Sequence, residues 1–89
     1  MMENTKGMDM DKAIEAIKAK AKDIGDHISL DISEDGYGLT TITVSEHGRR
    51  TASIELREYD DGEVEAEGRA YGSRRSTMGM LVAAARDAV

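Results

Sequence analysis

The sequence predicts an α+β fold: a two-layer α-β-β-β-β-α domain, with a four-stranded antiparallel meander and both helices on one face. Three observations predict it. Apolar residues recur at helical spacing near each end of the chain. Four stretches between them alternate apolar and polar at period two. Glycine-bearing turn sequences separate those stretches at hairpin spacing.

Residues 1–8 show no periodicity and are expected to form a mobile N-terminal arm ahead of a single domain spanning 9–89. In the first helix, Met10, Ile14, Ile17, Ala21 and Ile24 share one face. Asp9 is the expected N-cap, because its carboxylate can accept from the first-turn amides. Lys18, Lys20 and Lys22 lie where the helix dipole favours cations. Gly25 suits a left-handed residue ending the helix.

The inward sets of the four strands are Ile28, Leu30 and Ile32; then Thr40, Ile42 and Val44; then Ala52, Ile54 and Leu56; then Val64, Ala66 and Ala70, with Gly68 between. Three turns can be tested against these faces. A turn around Asp35-Gly36-Tyr37 places Leu30 opposite Ile42. A three-residue loop Glu46-His47-Gly48, with Gly48 left-handed, places Ile42 opposite Ala52. The loop Asp60-Asp61-Gly62 pairs Tyr59 with Glu63 and places Leu56 opposite Ala66. In each register both apolar sets share a face, whereas a one-residue slip would turn one of them to solvent.

The last segment reads as a helix with Ser73 as N-cap and Met78, Leu81, Val82 and Ala85 as its apolar stripe. Gly79 inside it costs about 1 kcal/mol relative to alanine, which suggests a close approach there.

Composition narrows the function. The chain has 89 residues, 18 acidic and 12 basic, for a net charge of -6, and no Cys, Pro, Trp or Phe. Without cysteine there is no disulfide framework, thiolate metal site or cysteine nucleophile. No apolar run is long enough to span a membrane, and no secretory signal pattern is visible, so a cytoplasmic protein is expected. The core must be built from Ile, Leu, Val, Met and Ala, which leaves a thin core that self-association could supplement.

The meander separates the charges. Glu34, Asp35, Glu58, Asp60, Asp61 and Glu63 gather at one sheet end. Arg49, Arg50, Arg69, Arg74 and Arg75 gather at the other, with His27 and His47. On the face opposite the helices, Glu63, Glu65 and Glu67 form a row along the fourth strand. Arg57 is expected opposite Glu65, and Glu55 opposite Glu67. Two surfaces follow. Glu55, Asp60, Asp61, Glu63, Glu65 and Glu67 suit a protein partner with a basic surface. Arg49, Arg50, Arg69, Arg74 and Arg75 suit an anion at a helix N-terminus, a phosphate or nucleic acid.

Catalytic patterns are missing. There is no Walker sequence, and Gly36-Tyr37-Gly38 lacks the third glycine and following helix of a dinucleotide fingerprint. Two histidines alone make neither a triad nor a metal site. The expectation is no enzyme, no cofactor and no metal.

The stretch from Thr43 onward runs strand–strand–strand–helix through Gly68-Arg69-Ala70-Tyr71-Gly72-Ser73-Arg74-Arg75 into an alanine-rich helix. It resembles the C-terminal half of double-stranded-RNA-binding domains. By that resemblance Arg74 and Arg75 would take the basic pair that opens the RNA-touching helix, and His47 would lie in the backbone-touching loop. The chain departs from the family at Met78, in an added strand over 27–33, and in its acidic total. In composition it also resembles small acidic phage-encoded inhibitors of the anti-CRISPR kind, which imply occupation of a host protein's nucleic-acid-binding surface. The combined expectation is a non-enzymatic protein-binding domain, an inhibitor acting as a nucleic-acid mimic. The alternative is a nucleic-acid-binding domain using the arginine end, and a homodimer is a further partner to test.

Overall fold

The structure, a computed structural model, describes residues 6–71 and 75–88, with side chains over 10–71 and 76–88. The elements run α1 (Lys6–Ile24), β1 (Ile28–Glu34), β2 (Leu39–Glu46), β3 (Arg49–Glu58), β4 (Val64–Ala70) and α2 (Arg75–Ala88). The strands form one antiparallel sheet in the order β1-β2-β3-β4. The helices pack against each other and on one face of that sheet. There α2 covers β4 and β3, and α1 lies toward β1 and β3. This is the α+β architecture the periodicities predict.

Helix α1 buries Met10, Ile14, Ile17 and Ala21, and also Ala13 beside them. It starts at Lys6, so Lys6–Met8 are helical rather than part of an arm, and Asp9 lies inside the helix instead of capping it. Nothing in that stretch stops a helix: there is no proline, and Gly7 costs only about 1 kcal/mol. At the other end the Gly25 amide donates to the Ala21 carbonyl at 3.1 Å. Gly25 is not among the left-handed glycines. A Cβ there would stand 2.7 Å from Cε1 and Nδ1 of the His27 ring, so that exposed ring would have to shift.

Two hairpin registers differ from the sequence expectation, each by two residues at the core pairs. His47 and Gly48 alone form the β2–β3 turn, with φ of 54° and 80°, and Glu46 pairs with Arg49. Paired left-handed residues suit the two-residue turn whose twist matches its strands. A bulge between Val44 and Ser45 then inserts one residue on β3, so that Ile42 meets Ile54 rather than Ala52. Its signature is two consecutive buried residues, Thr51 and Ala52. In the first hairpin Asp35 pairs with Leu39 through Asp35 N–H to the Leu39 carbonyl at 3.0 Å. Ile32 therefore meets Ile42, and Leu30 meets Val44. The third turn follows expectation: Tyr59 N–H donates to the Glu63 carbonyl at 2.8 Å, and Leu56 lies opposite Ala66.

Ile17, Ile42, Val44, Ile54, Leu56 and Leu81 are fully buried and form the centre of the core, with Val82 and Ala85 completing the α2 stripe. The close approach of α2 to the sheet is at Gly68, not Gly79. A Cβ on Gly68 would overlap Met78 Sδ and stand 2.8 Å from both Met78 Cγ and Val82 Cγ2, whereas one on Gly79 would meet nothing within 4 Å. Ser73, expected to cap α2, lies outside the described residues.

Candidate functional site

Alternation on β3 and β4 puts one side chain of each neighbouring pair into the core and the other onto the open face. With Ala52, Ile54 and Leu56 buried inward, Ser53, Glu55 and Arg57 must face outward. The β3–β4 register then places Arg69 opposite Ser53, Glu67 opposite Glu55, and Glu65 opposite Arg57. The expected row Glu63, Glu65 and Glu67 is exposed along one side of the sheet, with exposed Glu55 beside it. Asp60 and Asp61 are exposed in the loop at one end. Asp61 also serves the turn: its Oδ1 accepts from the Glu63 amide at 3.0 Å.

Glu55 and Glu67 stand directly across the ladder, a like-charge pairing that costs up to about 1 kcal/mol. Arg57 and Arg69 occupy the diagonal positions. Among the described residues, however, the only ion pairs within 4.0 Å are Lys18–Glu15 and Lys20–Asp23, both on α1. Among the described residues, the glutamates of the face have no ion-pair partner within 4.0 Å. Glu65 does accept a hydrogen bond from the Tyr59 hydroxyl at 2.6 Å. That bond to a carboxylate, with burial and nearby negative charge adding to it, pushes the Tyr59 phenol above its ordinary pKa. Glu55, Glu67, Ser53, Arg69 and Tyr71 line a shallow depression of about 100 Å³ on this face. It offers several acceptors, one guanidinium and one phenol.

Glu58 does not join the face. It follows Leu56 on the helix side of the sheet, and its Oε2 is buried without a hydrogen-bond partner among the described residues. Asp35 anchors the acidic-end turn, where its Oδ1 accepts from the amides of Tyr37 at 2.7 Å and Leu39 at 3.1 Å. Those two bonds, in that order, hold its carboxyl below the usual range.

At the other end, Arg49, Arg50 and Arg69 are exposed, as the topology predicts. Arg74 lies outside the described residues, as does the side chain of Arg75. The His27 and His47 rings stack with centroids 4.7 Å apart and planes 18° from parallel. Parallel rings do not aim their nitrogens at a common point. Among the described residues, no group of three or more His, Asp or Glu is placed to hold a metal ion.

Sequence reasoning missed a buried polar pair beside this end. Glu46 is only 6% exposed, and its Oε2 accepts from the Thr51 hydroxyl at 3.0 Å. The signal was present, because the period that turns Thr40, Ile42 and Val44 inward continues to Glu46.

No family model, curated protein or solved structure gives a significant match to this chain. The reading of function therefore rests on the geometry above. No helix among the described residues is long and apolar enough to cross a membrane.

Proposed function

We propose that this domain is a non-enzymatic protein-binding module that engages a basic, nucleic-acid-binding surface of a partner protein through its acidic sheet face, in the manner of a small phage-type inhibitor. The observation that carries the reading is the row Glu63, Glu65 and Glu67, with Glu55 alongside. These carboxylates are exposed, held on a hydrogen-bonded ladder, and without ion pairs among the described residues. Carboxylates on alternate strand residues repeat about every 7 Å, a line of negative charge that a phosphate-binding groove can accept. Their mutual repulsion is relieved when a basic surface docks, so association gains what the isolated face lacks.

The test is charge reversal. The triple variant Glu63→Lys, Glu65→Lys, Glu67→Lys is titrated against the partner recovered with the unmodified protein from a host lysate. Binding is expected to vanish while the circular dichroism spectrum stays unchanged. Retained affinity would refute the acidic face.

A second reading is supported by the exposed Arg49, Arg50 and Arg69 at one sheet end, none of them ion-paired among the described residues. It assigns nucleic-acid or phosphate binding to that end, with Arg74 and Arg75 added. It predicts a salt-sensitive gel shift with duplex RNA or DNA, and no retarded band at low salt removes it.

A further inference from the structure

The two edges of the sheet are finished differently. At the β4 edge, Arg86 of α2 donates through Nη2 to the Ala66 carbonyl at 2.9 Å. Glu65, Glu67 and Arg69 add charge along the same strand. Both devices discourage another strand from pairing there. The seven residues of β1 include no Lys, no Pro and no bulge. Among the described residues, no side-chain hydrogen bond reaches the outer backbone of β1.

The direction of the β1 backbone groups follows from its ladder. His47 N–H donates to the His27 carbonyl at 2.9 Å, and Asp35 N–H donates to the Leu39 carbonyl at 3.0 Å. Hydrogen-bonded pairs alternate along an antiparallel ladder, so Ser29, Asp31 and Ser33 turn their backbone groups toward β2. Leu30 and Ile32 turn both of theirs outward. Ile28 turns its carbonyl outward and donates its N–H to the Gly25 carbonyl at 3.3 Å.

The same three residues are incompletely covered on the helix side. Ile28, Leu30 and Ile32 are only partly buried, while Ile42 and Val44 on the next strand are fully buried. With Ala21, Lys18 and Lys22 they line an open groove of about 340 Å³ between β1 and α1. Among the described residues, the edge therefore combines unpaired backbone groups at Leu30 and Ile32 with apolar side chains that the core covers only in part.

We infer that β1 is a self-pairing edge, through which two copies of this chain join antiparallel with Leu30 opposite Leu30 of the second copy. Three considerations favour this register. Only outward-facing residues can form hydrogen-bonded pairs, which restricts the pairing to Ile28, Leu30, Ile32 and Glu34. Centring on Asp31 would put two carboxylates face to face, and centring on Ile32 would set Leu30 against Glu34. Centring on Leu30 sets Ile28 against Ile32 on the helix side. On the open side it sets Ser29 against Asp31, a hydroxyl donor against a carboxylate. Four backbone hydrogen bonds form: two between the Leu30 residues, and one from each Ile32 amide to the opposite Ile28 carbonyl. Each copy carries a net charge of -6, so the join tightens as salt is added.

The experiment is sedimentation equilibrium of the full chain, with amide exchange read by NMR at several concentrations. The expected result is a reversible dimer in which the Leu30 and Ile32 amides gain protection as concentration rises. Ser29→Asp opposes two carboxylates to Asp31 of the second copy, and weakens the dimer about tenfold. Ser29→Lys, facing the same carboxylates, strengthens it. A monomer up to millimolar concentration overturns the inference. So does a dimer indifferent to Ser29→Asp, or one in which Leu30 and Ile32 exchange independently of concentration. If Ser29→Asp fails to fold, the exchange data on the unmodified chain still decide. Protection that appears only when an unrelated extended peptide is added would also overturn self-pairing.

Discussion

Gly68→Ala tests the contact that seats α2 on the sheet. The new Cβ would overlap Met78 Sδ and come within 2.8 Å of Met78 Cγ and Val82 Cγ2. Carbon atoms settle about 3.5–4.0 Å apart, so roughly 0.7 Å of separation must be found. Met78 is flexible and partly buried, and can swing aside. Val82 is 5% exposed and branched at Cβ, which holds it to one helical rotamer. The helix must therefore lift. Overpacking of this kind costs about 1–3 kcal/mol. Removing glycine's unfolded-state entropy returns about 0.5–1 kcal/mol. The net loss expected is about 1–2 kcal/mol. For a domain this small that lowers Tm by about 4–8 °C per kcal/mol, measurable by thermal unfolding followed by circular dichroism. The control is the same substitution at Gly79, where nothing lies within 4 Å. There alanine should stabilise by about 1 kcal/mol through helix propensity. Adding Met78→Ala to Gly68→Ala should recover part of the loss, a coupling a double-mutant cycle isolates. A Gly68→Ala protein as stable as the unmodified one would refute the close approach.

Two further outcomes depend on pH. The Asp35 carboxyl is lowered chiefly by the amides of Tyr37 and Leu39, so its contribution to stability is present above the ordinary carboxylate pKa of about 3.9 and is lost as pH falls through the lowered folded value. The urea-midpoint gap between the unmodified protein and Asp35→Asn should narrow in acid; a constant gap would contradict the turn geometry. The Tyr59 phenol is raised chiefly by its bond to Glu65, so that contribution is full below the ordinary phenol pKa of about 10 and is lost as pH rises through the raised value. Glu65→Gln should move the Tyr59 ultraviolet titration to lower pH, and an unmoved midpoint would place the cause elsewhere.

The strand faces were legible because alternation fixes parity, and both register corrections preserved it. At the core pairs each correction is an even number of residues, reached in the β2–β3 hairpin only beyond its bulge, so Ile42 and Ile54 stay inward whichever partner they meet. Register itself was less legible. Glu46-His47-Gly48 can be read as a three-residue loop or as a two-residue turn followed by a bulge, and the sequence pattern suits both. The open-face pairs Glu55–Glu67 and Arg57–Glu65 were legible because the Asp60–Gly62 turn has the expected length. The function of Gly68 was not, since it depends on where α2 crosses the sheet. The Arg86–Ala66 bond spans twenty residues and has no local signature.

That bond also bears on how many copies can assemble. In the proposed pairing, joining through β1 uses the edge whose outer backbone takes no side-chain hydrogen bond among the described residues, and both outer borders of the resulting sheet are then β4. Each β4 border carries its own Arg86 on the Ala66 carbonyl. In the proposed pairing growth would therefore end after one addition, because a pair closed by twofold symmetry exposes only β4 borders.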